Sequence, residues 1–218
     1  MSKVGVILSG CGHRDGAEIR EAVLTLLALE KAGLDYECFA PDVEQRDVVD
    51  HLTGEASPAE KRNVLREAAR IARGKVRPTS EARAAALAGL VVPGGYGAAK
   101  NLCDFAVAGP DCTVEPSVAK LIRDVHAAGK PIGFICIAPA LAARLIPGAK
   151  LTIGRDAGTA EAIEKMGAKH VECFSDSFVS DDAQKVLSTP AYMCDATLPQ
   201  IAAGIEAMVR RLGEMTPR

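Results

Sequence analysis

Three segments combine a reactive side chain or a flexible backbone with a position directly after a predicted strand. They are residues 9–16 (Ser-Gly-Cys-Gly-His-Arg-Asp-Gly), 93–102 (Pro-Gly-Gly-Tyr-Gly-Ala-Ala-Lys-Asn-Leu) and 136–139 (Cys-Ile-Ala-Pro). Ligands of open parallel sheets bind outside the carboxyl ends of the strands. We therefore expect these segments to converge on one edge of a sheet.

Cys136 is the candidate nucleophile. It ends a predicted strand and precedes a predicted helix in which Pro139 suits a first-turn position. Because a helix N-terminus stabilises a thiolate, we expect a lowered thiol pKa and a reactive sulfur. The alternative is a half-buried core cysteine, since the surrounding residues do not match the G-x-S-x-G pattern of a nucleophile elbow.

The glycine-rich loop 93–97 is the second candidate. Gly94 and Gly95 leave backbone N–H groups exposed, which can bind a phosphate or stabilise an oxyanion. The loop is neither a Walker loop nor a G-x-G-x-x-G motif. The alternative is that these glycines only make tight turns.

Two glutamates of the first predicted helix have different expected roles. Asp15 is a suitable N-cap with Glu18 three residues later, so Glu18 has a structural role in an arrangement like a capping box. Glu21 lies one turn further along, among apolar residues. A desolvated carboxyl there would have a raised pKa and could transfer protons near neutral pH. The alternative is a solvent-facing helix residue.

The histidines and the other cysteines carry weaker signals. His13 follows the first strand and could reach the site, although a surface-loop role is more ordinary; His51, His126 and His170 have no convincing place. A Cys-His-Asp hydrolase is therefore poorly supported. The seven cysteines show no paired Cys/His spacing, which argues against a disulfide framework or a zinc site.

The elements that position these residues alternate between strand and helix, the pattern of an α/β fold with a mostly parallel sheet. We predict strands at 4–8, 36–40, 90–92 and 131–136, and helices at 16–32, 59–72, 117–128, 137–145, 159–166 and 199–212. Short strand-like pieces at 170–174, 178–180 and 186–188 suggest a mixed or antiparallel edge. We expect a single domain over 1–218 with an insertion around 43–58.

Composition excludes several classes of function. The net charge of −2 leaves no excess of Lys and Arg to bind nucleic acid or an anionic membrane. The longest apolar runs are far shorter than the roughly 20 residues that cross a bilayer. The N-terminus starts as a strand and does not have the layout of a signal peptide. We therefore expect a cytoplasmic protein.

The motifs together resemble the ElbB glyoxalase family of the DJ-1/PfpI superfamily, which is related to class I glutamine amidotransferase domains. The resemblance covers nearly the whole chain and rests on residues 5–12, 15–16, 18, 21–23, 51–55, 93–102, 136–140, 151–154 and 189–193. It implies a flavodoxin-like three-layer sandwich, a homodimer, and a glutathione-independent glyoxalase of the hydro-lyase type. Such an enzyme acts on a small dicarbonyl, glyoxal or methylglyoxal, without a cofactor.

The resemblance also implies roles for individual residues. The superfamily's strand-end cysteine and first-helix glutamate fall on Cys136 and Glu21, and the amides of Gly94, Gly95 and Ile137 would form an oxyanion hole. The protease-like branch has a histidine where Ile137 stands, which argues against peptidase activity. Another branch has a later histidine where Gly154 stands here, which leaves His13 as a weak substitute.

An alternative function stays open from the sequence. The protein could be a redox-responsive regulatory or binding protein with weak glyoxalase or deglycase activity, in which Cys136 is reversibly oxidised. Cys11 would then be the resolving thiol, because it lies in a strand-end loop of the same predicted sheet edge.

Overall fold

Alternating strands and helices build the chain, and a computed structural model describes residues 2–216. The strands are β1 (Lys3–Ile7), β2 (Tyr36–Ala40), β3 (Val76–Pro78), β4 (Leu87–Val92), β5 (Ile132–Ile135), β6 (Lys150–Leu151), β7 (Lys169–His170), β8 (Val179–Asp181) and β9 (Val186–Thr189). The helices are α1 (Ile19–Lys31), α2 (Val64–Ile71), α3 (Tyr96–Lys100), α4 (Phe105–Ala108), α5 (Pro116–Ala127), α6 (Pro139–Leu145), α7 (Ala157–Lys165) and α8 (Leu198–Met215).

A seven-stranded sheet forms the middle layer, in the order β3-β2-β1-β4-β5-β9-β8. Its pairs are parallel except that β8 runs antiparallel to β9 at one edge. The two short strands β6 and β7 pair in parallel beside it. The predicted mostly parallel sheet with an antiparallel edge is therefore confirmed.

Helices cover both faces of the sheet, and each face has its own apolar core. On one face α5 and α6 pack over buried side chains that include Phe39 and Phe134. On the other face α1, α2 and α8 pack over side chains that include Leu8. Every residue of β4 is buried, as in strands that are covered on both sides. Burying each large side chain contributes roughly 1.5–3 kcal/mol, so the central strands hold the site edge firmly.

Two element boundaries differ from the prediction because of helix caps. α1 begins at Ile19 and not at residue 16, since Glu18 is its N-cap and accepts a hydrogen bond from the backbone N–H of Glu21 at 2.6 Å. Asp15, the predicted cap, accepts from the Val49 N–H instead. α2 begins at Val64 and not at residue 59, because the Asn63 side chain caps it.

Other differences concern short elements. The edge strand β3 was not predicted, because its three residues include an arginine and a proline and carry no apolar alternation. The predicted strand at 170–174 is reduced to the two residues of β7. No helix among residues 2–216 is both long and apolar enough to cross a bilayer.

The 43–58 segment has no helix or strand, but it is anchored to the first strand-end loop. Val48 and Val49 are buried. The Arg46 N–H donates to Asn101 Oδ1, and the Asn101 amide donates in turn to the carbonyls of Ser9 and Asp15. The segment therefore lies against the sheet edge at which the candidate residues meet.

Candidate active site

Cys136 lies at a sharp turn between β5 and α6. Its backbone N–H donates to the Thr189 carbonyl of β9 at 2.9 Å, and its φ is 61°. A positive φ is unfavourable for a residue with a Cβ and is concentrated at functional sites. The turn has the strained strand-to-helix character of a nucleophile elbow, although the sequence around it does not match that motif.

Glu21 reaches Cys136 from the neighbouring helix. The carboxyl is fully buried; its Oε2 accepts from the Gly94 N–H at 2.9 Å and its Oε1 from the Tyr192 N–H at 3.3 Å. It also borders the Cys136 side chain, because both groups lie around the Cα of Gly94. The expectation of a desolvated Glu21 is therefore confirmed, and the solvent-facing alternative is wrong.

The surroundings of Glu21 favour its protonated form. Burial, followed by the nearby Glu18 charge, raises the pKa of Glu21 to about 8, against hydrogen bonds from Tyr192 and Gly94 that lower it. The carboxyl therefore holds a proton through most of the neutral range, and that proton can face the sulfur.

The thiol pKa departs from the expectation. Burial, and then the adjacent Glu21, raise the pKa of Cys136 well above its usual range, while N–H groups of Gly95 and Ile137 lower it. The predicted lowering by a helix end is wrong, because α6 begins only at Pro139 and desolvation outweighs the N–H donors. Because the pKa of Glu21 is raised to about 8 and that of Cys136 is raised well above its usual range, the carboxyl loses its proton before the thiol does.

Two glycines permit this close approach. A Cβ on Gly94 would lie 2.5 Å from Cys136 Cβ and 2.8 Å from Glu21 Oε2. Gly95 has a φ of 90°, and a Cβ there would lie 2.4 Å from the Glu18 backbone nitrogen.

One of the three N–H groups of the predicted oxyanion hole has another partner. The Gly94 N–H is bound to Glu21, so it does not serve as an oxyanion donor as predicted. The N–H groups of Gly95 and Ile137 lie near the Cys136 sulfur and lower its pKa, and their role as oxyanion donors stays a prediction.

A cavity of about 780 Å³ opens above this pair. Cys136 lines it, and most of the other lining side chains are apolar. The lining residues are His13, Glu18, Ile19, Arg20, Gly95, Tyr96, Ala99, Phe105, Ala106, Cys136, Ile137, Thr159, Tyr192 and Met193.

His13 lies at this cavity and contacts a second histidine from the 43–58 segment. The His13 and His51 rings meet edge to face with centroids 5.0 Å apart. Burial and the neighbouring His51 lower the pKa of His13. His51 Nδ1 lies 3.0 Å from the Val49 carbonyl, while its Nε2 accepts from the Arg14 N–H and lies 3.8 Å from Asp15 Oδ1.

Sequence reasoning missed Tyr192, Arg20 and His51 as residues around the site. The Tyr192 N–H holds Glu21, and its hydroxyl accepts from Arg20 Nη1 at 3.2 Å. The only sequence signal for Tyr192 and His51 was their place in the motifs of the resembled family.

Cys11 is not among the cavity residues. It is half-buried, and burial followed by the Glu67 charge of α2 raises the pKa of its thiol. All seven cysteines are free. No group of three or more His, Cys, Asp or Glu side chains within residues 2–216 is placed to hold a metal ion.

Comparison with known proteins finds close relatives along the whole chain. The chain is 47% identical over 225 residues to glutamine amidotransferase-like class 1 domain-containing protein 3, mitochondrial, of Homo sapiens, covering 99% of this chain and 84% of that protein. It is 33% identical to ES1 protein, mitochondrial, of Danio rerio, covering 100% of this chain and 87% of that protein. No family model matches the chain.

Solved structures agree with this placement. An isoprenoid biosynthesis protein with an amidotransferase-like domain from Ehrlichia chaffeensis superposes with a TM-score of 0.89 at 40% identity, covering 96% of this chain and 98% of that one. Glyoxalase III of Candida albicans shares the fold with a TM-score of 0.63 at 14% identity, covering 99% and 98%. The flavodoxin-like α/β fold is confirmed.

The expected cytoplasmic location is wrong. The relatives from Homo sapiens, Rattus norvegicus and Danio rerio are named as mitochondrial proteins. Unpaired cysteines indicate a reducing compartment. Neither they nor the near-neutral net charge distinguish one such compartment from another.

Proposed function

The chain belongs to the ElbB family of glutamine amidotransferase-like class 1 domain proteins in the DJ-1/PfpI superfamily, and we propose that it is a cofactor-independent glyoxalase. It converts glyoxal, or methylglyoxal, to the 2-hydroxy acid. The observation that carries this proposal is the placement of the buried Glu21 carboxyl beside Cys136 at the floor of a cavity.

The first step joins the cysteine to the aldehyde. The Cys136 sulfur adds to an aldehyde carbon, and its proton passes through Glu21 to the carbonyl oxygen, giving a hemithioacetal. While negative charge develops on that oxygen, the N–H groups of Gly95 and Ile137 stabilise it. Such donors contribute about 3 to 4 kcal/mol each in acyl-transfer enzymes.

The second step moves a hydrogen between the two carbons. Glu21 removes the proton from the thiol-bearing carbon, giving an enediolate, and returns it to the neighbouring carbon. The hydroxyl proton of the first carbon moves to the oxygen of the second, and a thioester results. Water then hydrolyses the thioester and restores the thiol. One carbon is oxidised while the other is reduced, so the reaction needs no external electron carrier. A carboxyl with a pKa of about 8 suits both directions of this proton transfer.

Steady-state glyoxalase kinetics on the purified protein and its Cys136→Ser variant test the proposal. We expect Cys136→Ser to abolish turnover, while Cys38→Ala and Cys173→Ala, which alter buried thiols outside the cavity, retain it. A Cys136→Ser variant that keeps most of the activity would exclude the covalent mechanism.

The same preparation tests the redox-responsive alternative. After mild peroxide, we expect sulfenic or sulfinic acid at Cys136 alone, with activity lost in step. Peptide mapping that finds a Cys11–Cys136 disulfide, reversed by thiol with recovery of activity, would favour the alternative.

Assembly and location complete the proposal. Ile19, Val23 and Leu27 are each close to half exposed, at 46%, 49% and 45%, and their spacing of four residues puts them on one face of α1. We propose that this face forms the contact between the two subunits of a homodimer, and that each subunit is a single domain.

We also propose a mitochondrial location for this chain, because its relatives are named as mitochondrial proteins.

A further inference from the structure

We propose, on the basis of the glyoxalase function above, that the preferred substrates are 2-oxoaldehydes with an apolar substituent of several carbons. Glyoxal is then a minimal substrate that uses only the bottom of the site. This inference rests on three features of the cavity beside Cys136: its volume, its apolar walls and the difference in solvent exposure between its lining residues.

The cavity is much larger than glyoxal requires. Its volume of about 780 Å³ lies within the roughly 300–1,000 Å³ that is typical of pockets for drug-sized ligands. Glyoxal has four non-hydrogen atoms and would leave most of this space to water. A substituent on the ketone carbon would fill it.

The walls of the cavity are suited to such a substituent. Ile19 of α1, Phe105 of α4, Ile137 after β5 and Met193 before α8 all contribute apolar side chains. Wall residues from four separate parts of the chain enclose a substituent on several sides. Burial of each methylene against such walls favours binding by roughly fourfold.

The residues that line the cavity differ strongly in exposure. Cys136 is 7% exposed, whereas Tyr96, on the same cavity, is 56% exposed. The charged side chains Glu18 and Arg20 also border the cavity. An aldehyde bound at the buried sulfur would therefore direct its substituent along the apolar walls toward the half-exposed Tyr96 ring.

The reaction is the same for the larger substrate. R–CO–CHO and water give R–CHOH–COOH: the aldehyde carbon is oxidised to the thioester and then to the acid, and the ketone carbon is reduced to the alcohol. The aldehyde hydrogen leaves as a proton, and one returns to the ketone carbon. No oxidant or reductant enters.

A homologous series tests the inference. We would measure kcat/KM for methylglyoxal, 2-oxobutanal and 2-oxohexanal, with glyoxal as the reference. We expect kcat/KM to rise about fourfold per methylene, and so roughly 60-fold over the three methylenes from methylglyoxal to 2-oxohexanal.

Two neighbouring positions on α4 provide a matched pair of variants. Ala106 lines the cavity, whereas Val107 is exposed and is not among the lining residues. We expect Ala106→Phe to lower the ratio of kcat/KM for 2-oxohexanal to that for glyoxal at least tenfold. Val107→Phe adds a ring to the same helix and should leave this ratio unchanged.

The outcomes separate this inference from the proposed function. Equal kcat/KM along the series, or a ratio that Ala106→Phe and Val107→Phe change equally, overturns the apolar-substituent inference while the glyoxalase function stands. Loss of turnover with every aldehyde, in wild-type protein with an intact thiol titre, overturns both.

Discussion

At the residue scale, the central feature is a thiol and a carboxyl that lie side by side, both buried. Neither group is in its ordinary titration range, because burial penalises the charged form of each. The pair can carry one negative charge, stabilised by the N–H groups of Gly95 and Ile137 at the sulfur and by those of Gly94 and Tyr192 at the carboxyl.

The raised pKa of Glu21 predicts a pH-dependent stability. Glu21 has a pKa of about 8 when folded and an ordinary value of 4.5, so between these pH values the folded protein binds more protons than the unfolded chain. Stability from this group is complete below about pH 4.5 and is lost as pH rises to about 8, by roughly 5 kcal/mol at most.

Urea unfolding at pH 5 and pH 8 measures this loss. We expect Glu21→Gln, which has no titrating group, to lose less stability than wild type over the interval. Identical losses in the two proteins would show that Glu21 does not keep its proton on folding.

Kinetics separate the two glutamates of α1. Glu21→Gln removes the proton shuttle, and we expect kcat to fall by roughly 10²- to 10⁴-fold. Glu18→Gln keeps an oxygen that can cap the Glu21 N–H, so we expect a stability loss below about 1 kcal/mol and a small change in rate. It also removes a charge that raises the pKa of Glu21, so the pH–rate profile should move toward acid. Equal rate losses in two folded variants would contradict these roles.

At the element scale, the turn after β4 holds the pair together. We expect Gly94→Ala to lower kcat at least roughly 100-fold, because its Cβ would displace Cys136 or Glu21 by about an ångström. The control is Gly158→Ala in α7, where a Cβ meets nothing closer than 3.8 Å and should raise helix stability by up to about 1 kcal/mol. Circular dichroism would show whether both variants fold. A folded Gly94→Ala variant with the kcat of wild type would contradict this role of Gly94.

The elements also explain what the sequence could predict. Cys136 and the glycine loop were found because both follow strands of a parallel sheet, and such strand ends meet at one edge. The prediction that Asp15 caps α1 is wrong. Glu18 is the cap, and Asp15 instead binds the Val49 N–H, a contact between distant parts of the chain that a local sequence pattern does not contain.

Long-range contacts set the remaining features of the site. Tyr192 holds Glu21 across 171 residues of chain, and His51 meets the Arg14 N–H across 37. The direction of the Cys136 pKa likewise depends on desolvation by the whole fold. Neither spacing nor composition reports such contacts.

At the scale of the whole molecule, the exposed face of α1 predicts the assembly. Ile19, Val23 and Leu27 face outward, while the opposite side of the helix, including Leu29, is buried against the sheet. Exposed apolar faces of this kind mark contacts between proteins. Because Ile19 also lines the cavity, a second copy on this face would border the site.

Light scattering after gel filtration tests this assembly. We expect wild type at about twice the chain mass of 22.8 kDa, and Val23→Asp at the monomer mass with little loss of folding stability, since Val23 is already half exposed. Leu52→Asp is the control, because Leu52 is also apolar and 94% exposed but belongs to the 43–58 segment and not to α1. We expect the dimer to persist in this variant. A wild-type monomer, or a Val23→Asp dimer, would refute the α1 interface. Because the partner copy would border the cavity at Ile19, we expect kcat/KM to fall more for 2-oxohexanal than for glyoxal in the Val23→Asp monomer.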